Sequence, residues 1–472
     1  MTLLNTSIGT KLLAGLFLIS FLLYSQPSVS VTSVTAEGGY AIVDTGQIEC
    51  FNNDMTMTCS SVGASFYGQD ASYSGLQPAF VDNGDGTITD ENTGLMWQKE
   101  VGEKLSFADA VASADSFELA GFDDWRLPSI KELYSLIDFS GEDVSGWDGS
   151  DTSDLTPFID TDFFAFEYGD TSSGERIIDV QYVSSTQYVS TTMGGAATVF
   201  GVNLADGRIK GYPSGNTGVG LKSFAVKYVR GNTNYGVNSF VDNGDRTITD
   251  EATGLMWLQD DSGSFGVGND GSGALNWEQA LQWAENLDYA GYSNWRLPNA
   301  KELQSIVDYT RSPATTSSAA IDPMFNVTSI TDEGGEVNYP FYWTGTTHQS
   351  TVKGDYAVYV AFGEALGWME TPTGTTLMDV HGAGAQRSDP KTGDPADFPT
   401  GHGPQGDVIR IYNYVRPVRG NSEQVIGIDI TGDSSSSSEE IKQEVTRSVP
   451  GFAFFALTGV VAITAARKQK KT

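Results

Sequence analysis

Between Gln77 and Asn421 short apolar runs alternate with polar turns, and one order of runs occurs twice. Phe80-Val81, a tight Asp-Asn-Gly-Asp-Gly turn and Thr87-Ile88-Thr89 predict a β-hairpin, because Asn-Gly and Asp-Gly accept the positive φ of such turns. Leu95-Met96-Trp97 predicts a buried strand. Ser106 and Asp109 form a capping-box pattern ahead of Phe107, Ala110, Val111, Ala114 and Phe117, an apolar stripe at helical spacing. Asn276 and Gln279 do the same for Trp277, Ala280, Leu281, Ala284 and Leu287. A second helix is expected from Ser129 with Glu132, and from Asn299 with Glu302, each just after a proline. Only β-like runs follow: Gln181 to Ser185, Ala197 to Leu204 and Ser223 to Val229, then Phe341 to Thr344, Tyr356 to Phe362 and Val408 to Val415. Strands, two helices, then more strands predict an α+β domain, made of a β-hairpin, two helices and a mostly antiparallel sheet.

The repetition is close, with Arg246 in place of Gly86 in the turn. Phe80 to Asp90 recurs as Phe240 to Asp250, Trp125-Arg-Leu-Pro as Trp295-Arg-Leu-Pro, and each unit closes on Val-Arg-Gly-Asn, at Val229 to Asn232 and Val418 to Asn421. Two tandem domains are expected, 77–232 and 239–421. Residues 1–36 read as a signal peptide, with Lys11 ahead of the apolar run Leu12 to Tyr24; a retained anchor is the competing reading. Residues 37–76 read as a small N-terminal cap in which Cys50 and Cys59, the only cysteines, are expected to pair. Residues 422–448, with five consecutive serines, read as a polar stalk, and 449–472 as a C-terminal membrane anchor or sorting signal. The Pro450-Gly451-Phe452 opening and basic end of that tail resemble the PGF-type sorting signal of archaeal surface proteins. Export to the cell surface with C-terminal anchoring in the membrane is the expected localisation.

Lys and Arg number 27 against 60 Asp and Glu, a formal net charge of −33, which repels nucleic acid and excludes it as a partner class. The hairpin turn, Thr-Gly-Leu-Met-Trp, Trp-Arg-Leu-Pro-x-x-Lys-Glu-Leu and the closing Tyr-Val-Arg, recurring in order, resemble the C-terminal domain family of the Legionella collagen-like protein. That resemblance implies a C-type-lectin-like fold and a surface adhesin or carbohydrate-binding role, with a glycan or cell-surface protein as partner. It also implies sulfated glycosaminoglycans as ligands, which so acidic a surface should repel.

The turn aspartates Asp82, Asp85 and Asp90, with Asp242, Asp245 and Asp250, have the oxygen-rich spacing of a calcium loop, against which stands plain turn chemistry. Calcium is the one cofactor candidate. The Arg of each Trp-Arg-Leu-Pro is expected to satisfy carbonyls or a buried carboxylate. All three histidines lie in the second unit, two of them in or beside the polar stretch Met378 to Gly406, which has no counterpart in the first. His381, Asp389, Asp394 and His402 are the candidate ligand-binding residues there, with Trp343 and Trp368 as stacking faces. No nucleophile elbow, zinc helix or phosphate loop is present, and both cysteines precede the repeats, so no catalytic residue is assigned. A binding protein is the expected class, with a structural envelope protein and a glycan hydrolase as competitors.

Overall fold

The computed structural model describes residues 39–149, 151–216, 221–420 and the backbone of 423–424. Apart from that dipeptide, the signal-peptide, stalk and tail expectations lie outside the described residues. In the first repeat β1 (Phe80–Asp82), β2 (Thr87–Asp90) and β3 (Leu95–Gln98) form a meander. Helices α1 (Phe107–Ala114) and α2 (Ile130–Tyr134) follow, then β4 (Gln181–Thr192), β5 (Ala196–Asn203) and β6 (Arg208–Pro213), and β7 (Val229–Gly231) returns to pair with β3. The second repeat rebuilds this order with β8 (Phe240–Asp242), β9 (Thr247–Asp250), β10 (Leu255–Leu258), α3 (Trp277–Glu285), α4 (Ala300–Ser305), β11 (Phe341–His348) and β12 (Tyr356–Ala361). An additional hairpin, β13 (Leu366–Thr371) with β14 (Gly374–Asp379), precedes β15 (Gln386–Pro390) and the closing β16 (Val418–Arg419). The chain is mostly antiparallel β-sheet with few and short helices, and among the described residues no helix is long and apolar enough to cross a membrane.

The caps work as the spacing dictates. Ser129, Asn276 and Asn299 each complete a capping box, and Ser106 accepts from Asp109 N. Arg126 forks onto Glu132 at 2.6 and 3.0 Å, and Arg296 onto Glu302 at 2.7 Å twice, so each Arg of Trp-Arg-Leu-Pro fixes the carboxylate that caps the following helix. Trp125 and Trp295 are buried and donate to Leu119 O and Tyr289 O.

The repeats do not stand apart as two linked domains. Each contributes three long strands to one six-stranded antiparallel sheet, ordered β11-β12-β15-β6-β5-β4, with β6 and β15 joined at Ile209↔Gln386. A three-stranded sheet ending in β6 or β15 would leave an unpaired edge, and pairing the two equivalent strands removes it, as in an isologous interface. The largest apolar cluster draws on both repeats, from Ile88, Trp97 and Phe200 to Ile248, Trp257 and Tyr342. Two lysines, Lys131 half-buried and Lys301 buried, tie the halves reciprocally: Lys131 Nζ donates to Ser305 O at 2.7 Å, and its counterpart Lys301 Nζ to Ser135 O at 3.0 Å.

Residues 39–76 are packed between the repeats rather than capping one of them. Gln47 Nε2 donates to Phe139 O (3.3 Å) and Thr347 O (2.8 Å), while its Oε1 accepts from Thr347 N (2.8 Å). Lys301 also donates to Asp44 O at 2.7 Å, Lys391 to Asn52 O at 3.0 Å, and a disulfide joins Cys50 to Cys59. Asp70 Oδ2 accepts from Thr45 and Thr346, at 2.8 and 2.5 Å. Burial, with Asp44 nearby, pushes the Asp70 carboxyl up to about 7. An acid whose pKa is higher folded than unfolded adds stability that is complete below the unfolded value and is lost as pH rises to the folded one. Asp379 and Asp389, pushed up by burial to about 7 and about 6, act in the same direction. The contribution of these three acids to unfolding free energy should therefore rise as pH falls from 7.5 to 5, by up to about 1.4 kcal/mol per pH unit for each within its window, so that wild type gains more, or loses less, than a variant lacking one of them. Denaturant titrations of wild type and Asp70→Asn at both pH values check this, and a variant with an undiminished slope would remove Asp70 from the account.

Candidate functional site

Period-two alternation along β6 sends Ile209 into the shared core and Arg208, Lys210 and Tyr212 to the opposite face. That face, at the seam with β15, floors a cleft of about 1290 Å³ built by both repeats. The first repeat supplies Asp143, Trp147, Arg176 and Asp206; the second supplies His348, Tyr356, Tyr359, His381, Arg387, His402 and Asp407. The halves meet so closely that a Cβ on Gly211 would lie 2.4 Å from His381 O.

Charges on the floor are held by one another. Asp206, fully buried, receives Lys210 Nζ, and Arg208 stands 3.7 Å from it and 2.7 Å from Asp143. Asp407 receives Arg387 on one oxygen and His381 Nε2 on the other, the latter at 2.9 Å. Because a carboxylate can only accept, His381 carries its proton on Nε2; its Nδ1 has no partner among the described residues. His348 Nε2 likewise donates to Asp206 O at 2.9 Å, with Phe158 stacked on its ring at 5.5 Å. Burial, then Arg208, pulls His348 down to about 4, and burial with Arg387 pulls His381 well below the usual imidazole range, so both are neutral at pH 7. Burial lowers Lys210 to about 8, leaving it mainly charged. Burial opposes ionisation of Asp143, but Arg208 outweighs it and holds the acid well below the usual carboxylate range. The result is a set of immobilised donors and acceptors beside the exposed or half-buried rings of Trp147 and Tyr356.

The structure gathers only part of the candidate set read from the sequence. His381 and His402 both line the cleft, as does the third histidine, His348. Trp343 does not: it is buried in the core of the second repeat and donates to Leu275 O at 2.8 Å. Asp389 is also buried, accepting from Asn413 at 3.1 Å and Arg410 N at 3.2 Å. Asp394 is exposed and accepts from Ala396 N, and Trp368 sits half-buried on β13, away from the cleft lining. The calcium candidates are used by their own turns. Asp82 and Asp242 accept from Gly84 N and Gly244 N, Asp85 and Asp245 from Thr87 and Thr247, and Asp90 and Asp250 from Ala79 N and Ser239 N. Among the described residues no group of three or more His, Cys, Asp or Glu could hold a metal ion, and each of these aspartates caps its own turn. Sequence reading missed Arg208, Lys210, Asp206 and Arg176, all from the first repeat; the alternating Arg208-Ile-Lys210 was the one available signal.

The sequence matches one family pattern, the Lcl C-terminal domain, over residues 86–230 and again over 246–378, the second match ending at the hairpin found only in that repeat. Neither a curated protein nor a solved structure matches the chain.

Proposed function

The chain belongs to the Lcl C-terminal domain family, and from that premise we propose that it is a cell-surface binding protein, an adhesin whose seam cleft takes a carbohydrate without cleaving it. In this reading each repeat is a C-type-lectin-like unit, exported by the N-terminal signal and held outside the cell by the C-terminal tail.

The charge balance of the cleft carries the reading. Five cations, Arg176, Arg208, Lys210, Lys353 and Arg387, face five aspartates, Asp143, Asp148, Asp206, Asp355 and Asp407, in a chain whose formal net charge is −33. A neutral sugar hydroxyl both donates and accepts, and a lattice of paired ions offers both roles in fixed geometry without attracting counter-charge. Tyr356 and Trp147 supply planar faces for a sugar ring.

Soluble protein spanning 37–434 should bind neutral polysaccharides on a glycan array, equally in low and high salt. Trp147→Ala and Tyr356→Ala should each weaken that binding about tenfold. Retention only of sulfated or uronic-acid glycans, weakening with salt, would sink the neutral-ligand reading.

A further inference from the structure

The internal two-fold relation leaves one socket filled and its twin open. In the second repeat the strand β11 is buried along its whole length, because Gln69–Tyr73 lies on it. Thr346 Oγ1 accepts from Ala300 N at 3.0 Å and donates to Asp70 Oδ2 at 2.5 Å. Tyr73 places its ring 5.2 Å from the Arg296 guanidinium and its hydroxyl 2.5 Å from Glu285. A Cβ on Gly345 would lie 3.1 Å from Asp70 N. With this plug in place, the space beside Arg296, Asn299 and Glu302 shrinks to about 20 Å³.

The first repeat has the same fittings. Thr186 Oγ1 accepts from Ile130 N at 3.0 Å as Thr346 does from Ala300, and Ser185 N donates to Pro128 O as Gly345 N does to Pro298 O. Arg126, Ser129 and Glu132 repeat Arg296, Asn299 and Glu302. Among the described residues they are not sealed as their twins are: a cavity of about 530 Å³ lies there, Ser185 and Gln187 on β4 are exposed, and the Arg126 side chain is 31% exposed against 4% for Arg296. Among the described residues the Thr186 hydroxyl has no acceptor and the Arg126 guanidinium has no ring on its face.

We propose that this cavity is a peptide-binding site that takes a partner protein's segment of the form Asp-x-x-Tyr, in the pose that Asp70 to Tyr73 adopt on the second repeat. The aspartate accepts from Thr186 Oγ1 and the tyrosine ring covers Arg126, a cation on an aromatic face. The site is separate from the seam cleft and takes a different class of ligand.

The test uses soluble protein spanning 37–434 and an acetylated, amidated, fluorescent peptide with the sequence of Phe66 to Leu76. Fluorescence anisotropy should show saturable binding with a Kd below about 1 mM. Ser185→Trp, which fills the cavity from an exposed position, should weaken binding at least tenfold, and so should peptides carrying Asp70→Ala or Tyr73→Ala, which leave the protein untouched. Absence of saturable binding, or binding indifferent to Ser185→Trp and to both peptide changes, would overturn the proposal; displacement of the internal plug on the second repeat would show that indifference to Ser185→Trp.

Discussion

Asp206→Ala should lower folding stability by about 3–5 kcal/mol, the largest loss expected from a single side chain in the cleft floor. Asp206 is fully buried and is the shared anion of Lys210 and Arg208, both only 13% exposed. Removing it leaves two cations desolvated with only Asp143 to answer them, and Asp143 already pairs with Arg208. Lys210, which burial already lowers to about 8, would relieve part of the cost by losing its proton. Asp206→Asn keeps an acceptor for Lys210 and should cost less, about 1–2 kcal/mol. Equilibrium unfolding in urea at pH 7 reads both, and an Asp206→Ala loss under about 1 kcal/mol would mean that the ion lattice does not hold the seam.

Protein starting at Gln77 should fail to fold as a stable monomer, whereas protein starting at Glu37 should fold. The lost segment buries Tyr40, Val43, Cys50, Phe51 and Tyr67, which at about 1.5–3 kcal/mol each amounts to on the order of 10 kcal/mol. That is comparable to the whole stability of an ordinary domain. Its loss would also uncover β11 and orphan the Thr347 main chain that Gln47 satisfies on both sides. Size-exclusion chromatography and circular dichroism of the two proteins decide the matter. Equal elution and equal unfolding midpoints would show that the segment is an accessory.

Local physics made much of this legible. Asn-Gly-Asp turns and the Ser129 and Asn299 capping boxes depend on residues within a few positions of each other, and the hairpins and helices stand where those signals lie. The structural reading of Trp-Arg-Leu-Pro followed for the same reason, since Arg126 and Glu132 are only six residues apart. The acidic turn spacing left two readings open because a carboxylate that caps its own turn and one that ligates calcium leave the same sequence trace, and the structure shows the caps.

The sequence by itself determined the repeat, the opening hairpin and the two helices of each unit, the family and the Cys50–Cys59 pairing, all properties of short stretches compared with each other. Only the tertiary structure decided that the repeats share a sheet, that residues 39–76 lie between them, and that Arg208 and Asp206 meet Arg387 and His381 across the seam. It also decided that Trp343 and Asp389 are buried away from the cleft. The physical reason is that edge pairing of β6 with β15 joins residues 177 positions apart (Ile209 to Gln386), by backbone hydrogen bonds that carry no side-chain signature. A cleft that exists only at such a joint has no local sequence to announce it.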